Sequence, residues 1–194
     1  MTYVSVVTLV AYALVLGLLV VVSVVDARER RIPNVLVLAL GALWLLWRVV
    51  LGFAGQYMGL GFATEFISPA PTVTVPPGLE IVGESLAGGI LGAVVLGGGL
   101  LVMAALYEGI AHRESFGGGD IKLMAVLGLF LGWERGLICL LAACALSLVF
   151  VAARALVAKY RPAEEGGSDA VRGLQATMPF GPFMAVGTLI AFVV

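Results

Sequence analysis

Asp120 sits in the stretch Ser115–Met124, SFGGGDIKLM, where three glycines precede a carboxylate and a lysine at the mouth of an apolar run. Asp26 holds a matching place in SVVDARERRIPNVL, at the end of the first apolar run. Two carboxylates brought together in a partly dry site cannot both ionise easily, so the pair shares one proton. One member then takes a proton from water while the other, still protonated, polarises a carbonyl, which is how paired aspartates hydrolyse peptide bonds. Each residue taken singly has a plainer reading. Asp120 reads as a helix cap accepting free backbone N–H groups, and Asp26 as an interfacial charge beside Arg28 and Arg30. Pairing of Asp120 with Lys122 is disfavoured, because residues two apart on a helix do not face each other. Lys122 is expected instead to snorkel toward the interface. The only other aspartate, Asp169, lies in a polar linker, and the sole histidine, His112, has no evident nucleophile partner.

The elements that must carry these residues follow from composition. Of 194 residues, 61% are hydrophobic and 12% charged, with a mean hydropathy of +1.12. A soluble domain of this size has no interior large enough for that much apolar surface, so the excess faces lipid. A spanning helix needs roughly 20 apolar residues. The runs Tyr3–Val25, Val35–Phe53, Leu86–Leu106, Ile121–Trp133, Leu137–Ala153 and Thr177–Val194 therefore predict an all-α polytopic membrane protein, a bundle of six helices with the fourth short. The first run lacks a basic flank and an Ala-x-Ala site, so it is expected to be a retained span and not a signal peptide. The whole chain, 1–194, reads as one membrane-embedded domain with a long loop at 54–85 and a second at 154–176.

Six spans put both termini on one side. The loops holding Arg28, Arg30, Arg31, Arg113, Arg154, Lys159, Arg161 and Arg172 fall on the other, against Arg135 alone on the terminal side. The excess of Lys and Arg marks the cytoplasmic side, so the termini are expected outside, with Asp26 and Asp120 opening inward. Trp47 and Trp133 near the outer ends suit an aromatic belt. The outer loop SPAPTVTVPPGLE reads as extended and poorly regular. In the third run, Gly88 with Gly92 and Ala93 with Gly97 give the small-xxx-small spacing that lets helix backbones approach closely.

The fourth run places the glycine tract in depth. Ile121 to Trp133 rises about 20 Å across a hydrocarbon layer of roughly 30 Å. With Trp133 at the outer interface, Asp120 lies about 10 Å short of the inner one. Gly117, Gly118 and Gly119 are then expected to dip into the protein as irregular backbone, accepting positive φ and close approach. A carboxylate at that depth is costly and marks a functional group. Cys139 and Cys144 lie five apart in one run and read as small buried residues, and no CxxC or Cys/His cluster offers a metal site. No metal, cofactor or nucleic-acid partner is expected.

Together, Asp26 followed by Ile32-Pro33-Asn34, then GGGDIKL leading into GLFLGW, then MPFGPFMAVG closely resemble the type IV prepilin peptidases. These are membrane aspartic proteases marked by Gly-x-Gly-Asp, and the resemblance covers roughly Val21 to the C-terminus. It implies that Asp26 and Asp120 are the catalytic pair and that Gly117 and Gly119 flank the variable position filled by Gly118. Lys122 matches the lysine that follows, and Pro179 and Pro182 fall where helix-end prolines leave backbone groups free near the site. The implied substrates are pilin-like precursors with a short basic leader, cut on the cytoplasmic side just before their apolar helix. Many bacterial members carry an added cytosolic segment with paired cysteines linked to N-methylation. This chain has no CxxC and no room for that segment after the first run, so peptidase activity without methyl transfer is expected. Presenilin-like and signal-peptide-peptidase proteins share Gly-x-Gly-Asp but carry Tyr before the first aspartate, where Val25 stands here. A proton-coupled transporter would also place acids in the membrane, yet the sequence has no internal repeat or paired broken helices.

Overall fold

The computed structural model describes residues 2–57, 70–75, 79–83, 86–111, 117–160 and 180–193, with side chains for 9–51, 86–110, 117–157 and 180–192. Among them are five helices. The first, α1, runs Thr2–Glu29, so the apolar helix extends one turn past Val25 and Asp26 is a helical residue, not a loop residue. Arg30 ends it with φ 53°, and the Arg30 N–H closes onto the Asp26 carbonyl at 2.8 Å, a left-handed cap of the kind glycine usually supplies. Pro33 then disfavours helical backbone at Ile32. The Pro33 carbonyl accepts from Leu36 N–H at 3.0 Å, so Pro33 caps α2, Asn34–Tyr57, from just outside its first turn.

The connection after α2 is more regular than its composition predicts. Ala70–Val75 (β1) and Leu79–Gly83 (β2) pair antiparallel, with Val73 opposite Ile81 and an irregularity between Ala70 and Val73. Alternating Thr and Val suit a pleated strand, and this hairpin is the exception to the helical fold. It packs over α1 and the last helix.

Helix α3 is continuous through three segments, Leu86–Ala93, a π-helical turn Val94–Gly98, and Gly99–Ala111. Its seam uses Gly89, Gly92 and Gly97. A β-carbon on Gly89 would stand 2.5 Å from the Leu129 carbonyl oxygen, and one on Gly97 2.5 Å from the Ala125 β-carbon. The expected Gly92 and Gly97 lie in this seam, whereas Gly88 is only partly buried and Gly89 takes the close contact in its place.

Helix α4, Gly118–Tyr160, is broken inside by Gly132 at φ 70°, ψ −173°. Before the break its contacts with α3 run antiparallel, Ala125 to Gly97 and Leu129 to Gly89. Beyond it they run the other way, Gly132 to Gly92 and Gly136 to Leu96. The chain therefore turns back at Gly132, which a left-handed glycine permits without a loop. The predicted connection at 134–136 is helical, because the reversal is made one turn earlier. Helix α5, Gly181–Val193, lies antiparallel to the second half of α4, with Phe183 on Phe150 at 5.6 Å and Gly187 against Cys139 and Ala143. Cys139 is buried, whereas Cys144 is exposed, contrary to expectation, and both are free thiols.

Four of the helices are long and apolar enough to cross a membrane, and Gly181–Phe192 is a shorter apolar one. Large apolar residues such as Leu38, Met103, Leu141 and Leu148 are exposed along them, as lipid-facing surfaces require. The ends remote from Asp26 are joined by rings. Trp47 meets Tyr12 edge-on at 5.6 Å and stacks on Phe130 at 6.3 Å, while Tyr12 meets Phe192 at 4.8 Å. Trp47 is thus a core residue, not part of a belt, whereas Trp133 is exposed. Arg48, also buried, lays its guanidinium 5.5 Å from the Trp47 ring.

Candidate active site

Asp26 and Asp120 belong to different helices and come to the same end of the bundle. Asp26 faces inward from the last turn of α1 and is 5% exposed. Its Oδ2 accepts a hydrogen bond of 2.8 Å from the Gly181 N–H, across 155 residues of chain. Asp120 is the third residue of α4, partly buried, with its own N–H donating to the Gly117 carbonyl at 2.9 Å. The residue before Asp120 lies against Ile32, in the turn that follows α1, which brings both carboxylates to one corner of the bundle. Such a pair, largely withdrawn from water, has the elements for general acid–base work.

The glycines act by proximity. Gly118 and Gly119 are already helical, Gly117 lies just outside the helix, and Gly132 is the only described glycine with positive φ, so of the irregular backbone expected over residues 117–119 only Gly117 is left. What the tract supplies is room. A β-carbon on Gly119 would stand 2.9 Å from the Ile32 β-carbon, and one on Gly117 3.2 Å from Asp120 Oδ2. Gly118 faces open space. The start of α4 is thus seated against the turn between α1 and α2. Lys122 adds a second tie there, its Nζ donating to Asn34 Oδ1 at 3.0 Å, which replaces the expected free excursion toward the interface.

Pro179 lies outside the described residues. Pro182 occupies the first turn of α5, where its missing N–H is no loss. Sequence reasoning passed over Gly181 as a neighbour of Asp26 and named Asn34 only as part of the Ile32-Pro33-Asn34 turn, not as the partner of Lys122. A signal for Gly181 was present in MPFGPF, a glycine held between two prolines where an apolar run begins. Among the described residues no group of three or more His, Cys, Asp or Glu is placed to hold a metal ion.

Helices with lipid-facing surfaces and two acidic side chains drawn together at one end define an integral membrane protein with a carboxylate pair. The type IV leader peptidase family matches residues 13–152, a stretch containing both aspartates, Asn34 and the glycine tract, and the chain belongs to that family. It is also similar to the prepilin leader peptidase/N-methyltransferase of Pseudomonas aeruginosa, 29% identical over 173 residues, which are 89% of this chain and 45% of that protein. The chain thus spans less than half the length of that relative. No solved structure matches it.

Proposed function

We propose that this protein is an aspartic endopeptidase of the inner membrane that removes the basic leader from type IV prepilin-like precursors at the cytoplasmic face. The observation that carries this reading is the convergence of Asp26 and Asp120, from α1 and α4, in a chain of the leader peptidase family. One carboxylate takes a proton from water as the water oxygen adds to the scissile carbonyl carbon. The other gives its proton to the carbonyl oxygen. Collapse of the tetrahedral intermediate breaks the C–N bond, and the departing nitrogen takes up the proton abstracted from water.

The membrane arrangement follows from the same helices. Gly118–Val157 has 40 residues and would reach about 60 Å if straight, twice the hydrocarbon thickness. The reversal at Gly132 lets it cross twice, giving six crossings with both termini outside and the aspartates at the inner leaflet. The distribution of Lys and Arg supports that orientation. Only Arg30–Pro33 separate α1 from α2, which leaves no inserted segment there, and the sequence has no CxxC. The proposed reaction is leader removal, with N-methylation no part of it.

The test is purified protein in lipid with a synthetic prepilin. Leader release is expected, with an unmodified new N-terminus by mass even when S-adenosylmethionine is supplied. Asp26→Asn and Asp120→Asn, each folded, lose activity by on the order of 10³-fold or more. Full cleavage by both variants would end the proposal.

A further inference from the structure

The hydrogen bond from Gly181 makes the two aspartates unequal. Asp26 lies three residues before the end of α1, where the helix dipole opposes negative charge. The first turn of α5 offers the opposite field, but with few donors. Pro182 has no N–H, and those of Phe183 and Met184 turn back onto the Phe180 carbonyl, each at 3.1 Å. The Gly181 N–H projects outward to Asp26 Oδ2. A β-carbon at 181 would stand 2.9 Å from that oxygen and 3.1 Å from the Asp26 β-carbon, so glycine is what allows the approach. Among the described residues none donates a hydrogen bond to the Asp120 carboxyl. An N–H donor favours the ionised form of the oxygen it meets.

We propose that Gly181 is a positioning residue whose N–H holds Asp26 as the carboxylate that deprotonates water, leaving Asp120 as the member that protonates the carbonyl oxygen. This assignment rests on the peptidase reading. The water proton passes to Asp26 and its oxygen bonds to the carbonyl carbon, while the Asp120 proton goes to the carbonyl oxygen. On collapse the C–N bond breaks, Asp26 gives its proton to nitrogen, and a hydroxyl of the intermediate returns one to Asp120. Among the described residues few other charges bear on Asp26. Arg28, Glu29, Arg30 and Arg31 on and after α1 are exposed, α3 brings an exposed Glu108 in its last turn, α4 brings Asp120, an exposed Lys122 tied to Asn34 and an exposed Arg154, α2 brings no charge at this end, and α5 has no titratable side chain.

The experiment is the pH dependence of kcat/KM for a synthetic prepilin, wild type against Gly181→Ala, in lipid. Loss of the hydrogen bond moves the acidic limb up by about one pH unit and leaves the alkaline limb in place. Movement of the alkaline limb, or of neither, overturns the assignment. A second measurement covers a folded but inactive variant. Infrared titration of the Asp26 carboxyl in an Asp120→Asn background, with and without Gly181→Ala, is expected to show the same upward displacement, and an unchanged midpoint refutes it. Failure of the wild type to cleave any prepilin counts against the peptidase reading, whereas the infrared result still decides whether Gly181 governs Asp26.

Discussion

Two adjacent glycines should respond oppositely to one methyl group. At Gly119 an added β-carbon would lie 2.9 Å from the Ile32 β-carbon, against 3.4–4 Å for ordinary contact. The start of α4 must then withdraw from the α1–α2 turn by about 0.5–1 Å, because a β-carbon has no rotamer to escape into. Overpacking of this kind costs about 1–3 kcal/mol. The larger effect is on geometry, since Asp120 is the next residue. A misplacement of about 1 Å in a catalytic group costs on the order of 10²-fold in rate. Gly119→Ala is therefore expected to cleave a synthetic prepilin about 10²-fold more slowly while remaining folded in detergent. Gly118→Ala, whose β-carbon meets nothing within 4 Å, should stay within about twofold of wild type and gain a little stability from helix propensity. Ile32→Gly removes the opposing atom, so the double variant Gly119→Ala/Ile32→Gly should recover much of the lost rate. Equal activity of the two alanine variants, or no recovery in the double variant, would show that the contact does not set the position of Asp120.

Two further outcomes follow from the packing. Gly92→Ala sets a β-carbon onto the backbone of Gly128 and Gly132 and should lower thermal stability in detergent by about 1–3 kcal/mol, while Gly98→Ala, which meets nothing within 4 Å, should not; a melting comparison of the two decides it. Lys122→Met loses the 3.0 Å bond to Asn34 and should slow cleavage by about 3–10-fold, the worth of one exposed hydrogen bond, and adding Asn34→Ala should slow it no further if the two act as a pair.

Chemistry was more legible in the sequence than packing. Aspartates beside glycines and basic loops stand out of an apolar background, because their placement there is costly and their local spacing is short. The break in α4 was harder to place. Trp133, Glu134, Arg135 and Gly136 are polar or aromatic enough to suggest a loop, yet the turn is made by Gly132 alone, and one residue with positive φ leaves no polar stretch to read. The tie between Gly181 and Asp26 spans 155 residues, and no local pattern announces a contact of that range. Trp47 shows a different limit. An aromatic residue near a helix end suits a headgroup belt as well as a core, and only the neighbouring helices, bringing Tyr12 and Phe130, decide between them.

Those neighbours also explain why so much depends on close approach. Lipid tails are as apolar as the helices, so association within a bilayer gains little from burying apolar surface and relies on packing and on polar ties. At the end remote from Asp26, rings of α1, α2, α4 and α5 interlock through Tyr12, Trp47, Phe130 and Phe192, each pair contributing about 0.5–1.5 kcal/mol beyond its buried area. At the aspartate end the ring contacts among the described residues join only α4 and α5, with Phe183 meeting Phe150 at 5.6 Å and Phe180 at 6.5 Å. The Gly181 N–H, the Lys122–Asn34 bond and the Gly119–Ile32 contact bring α1, α2 and the turn between them to that end. A ring cluster tolerates small displacements, whereas a 2.8 Å hydrogen bond does not, so it is the polar end of the bundle that fixes the two carboxylates relative to each other. Substitutions in the aromatic cluster should accordingly lower stability before activity, and those at Gly119, Lys122 or Gly181 should do the reverse.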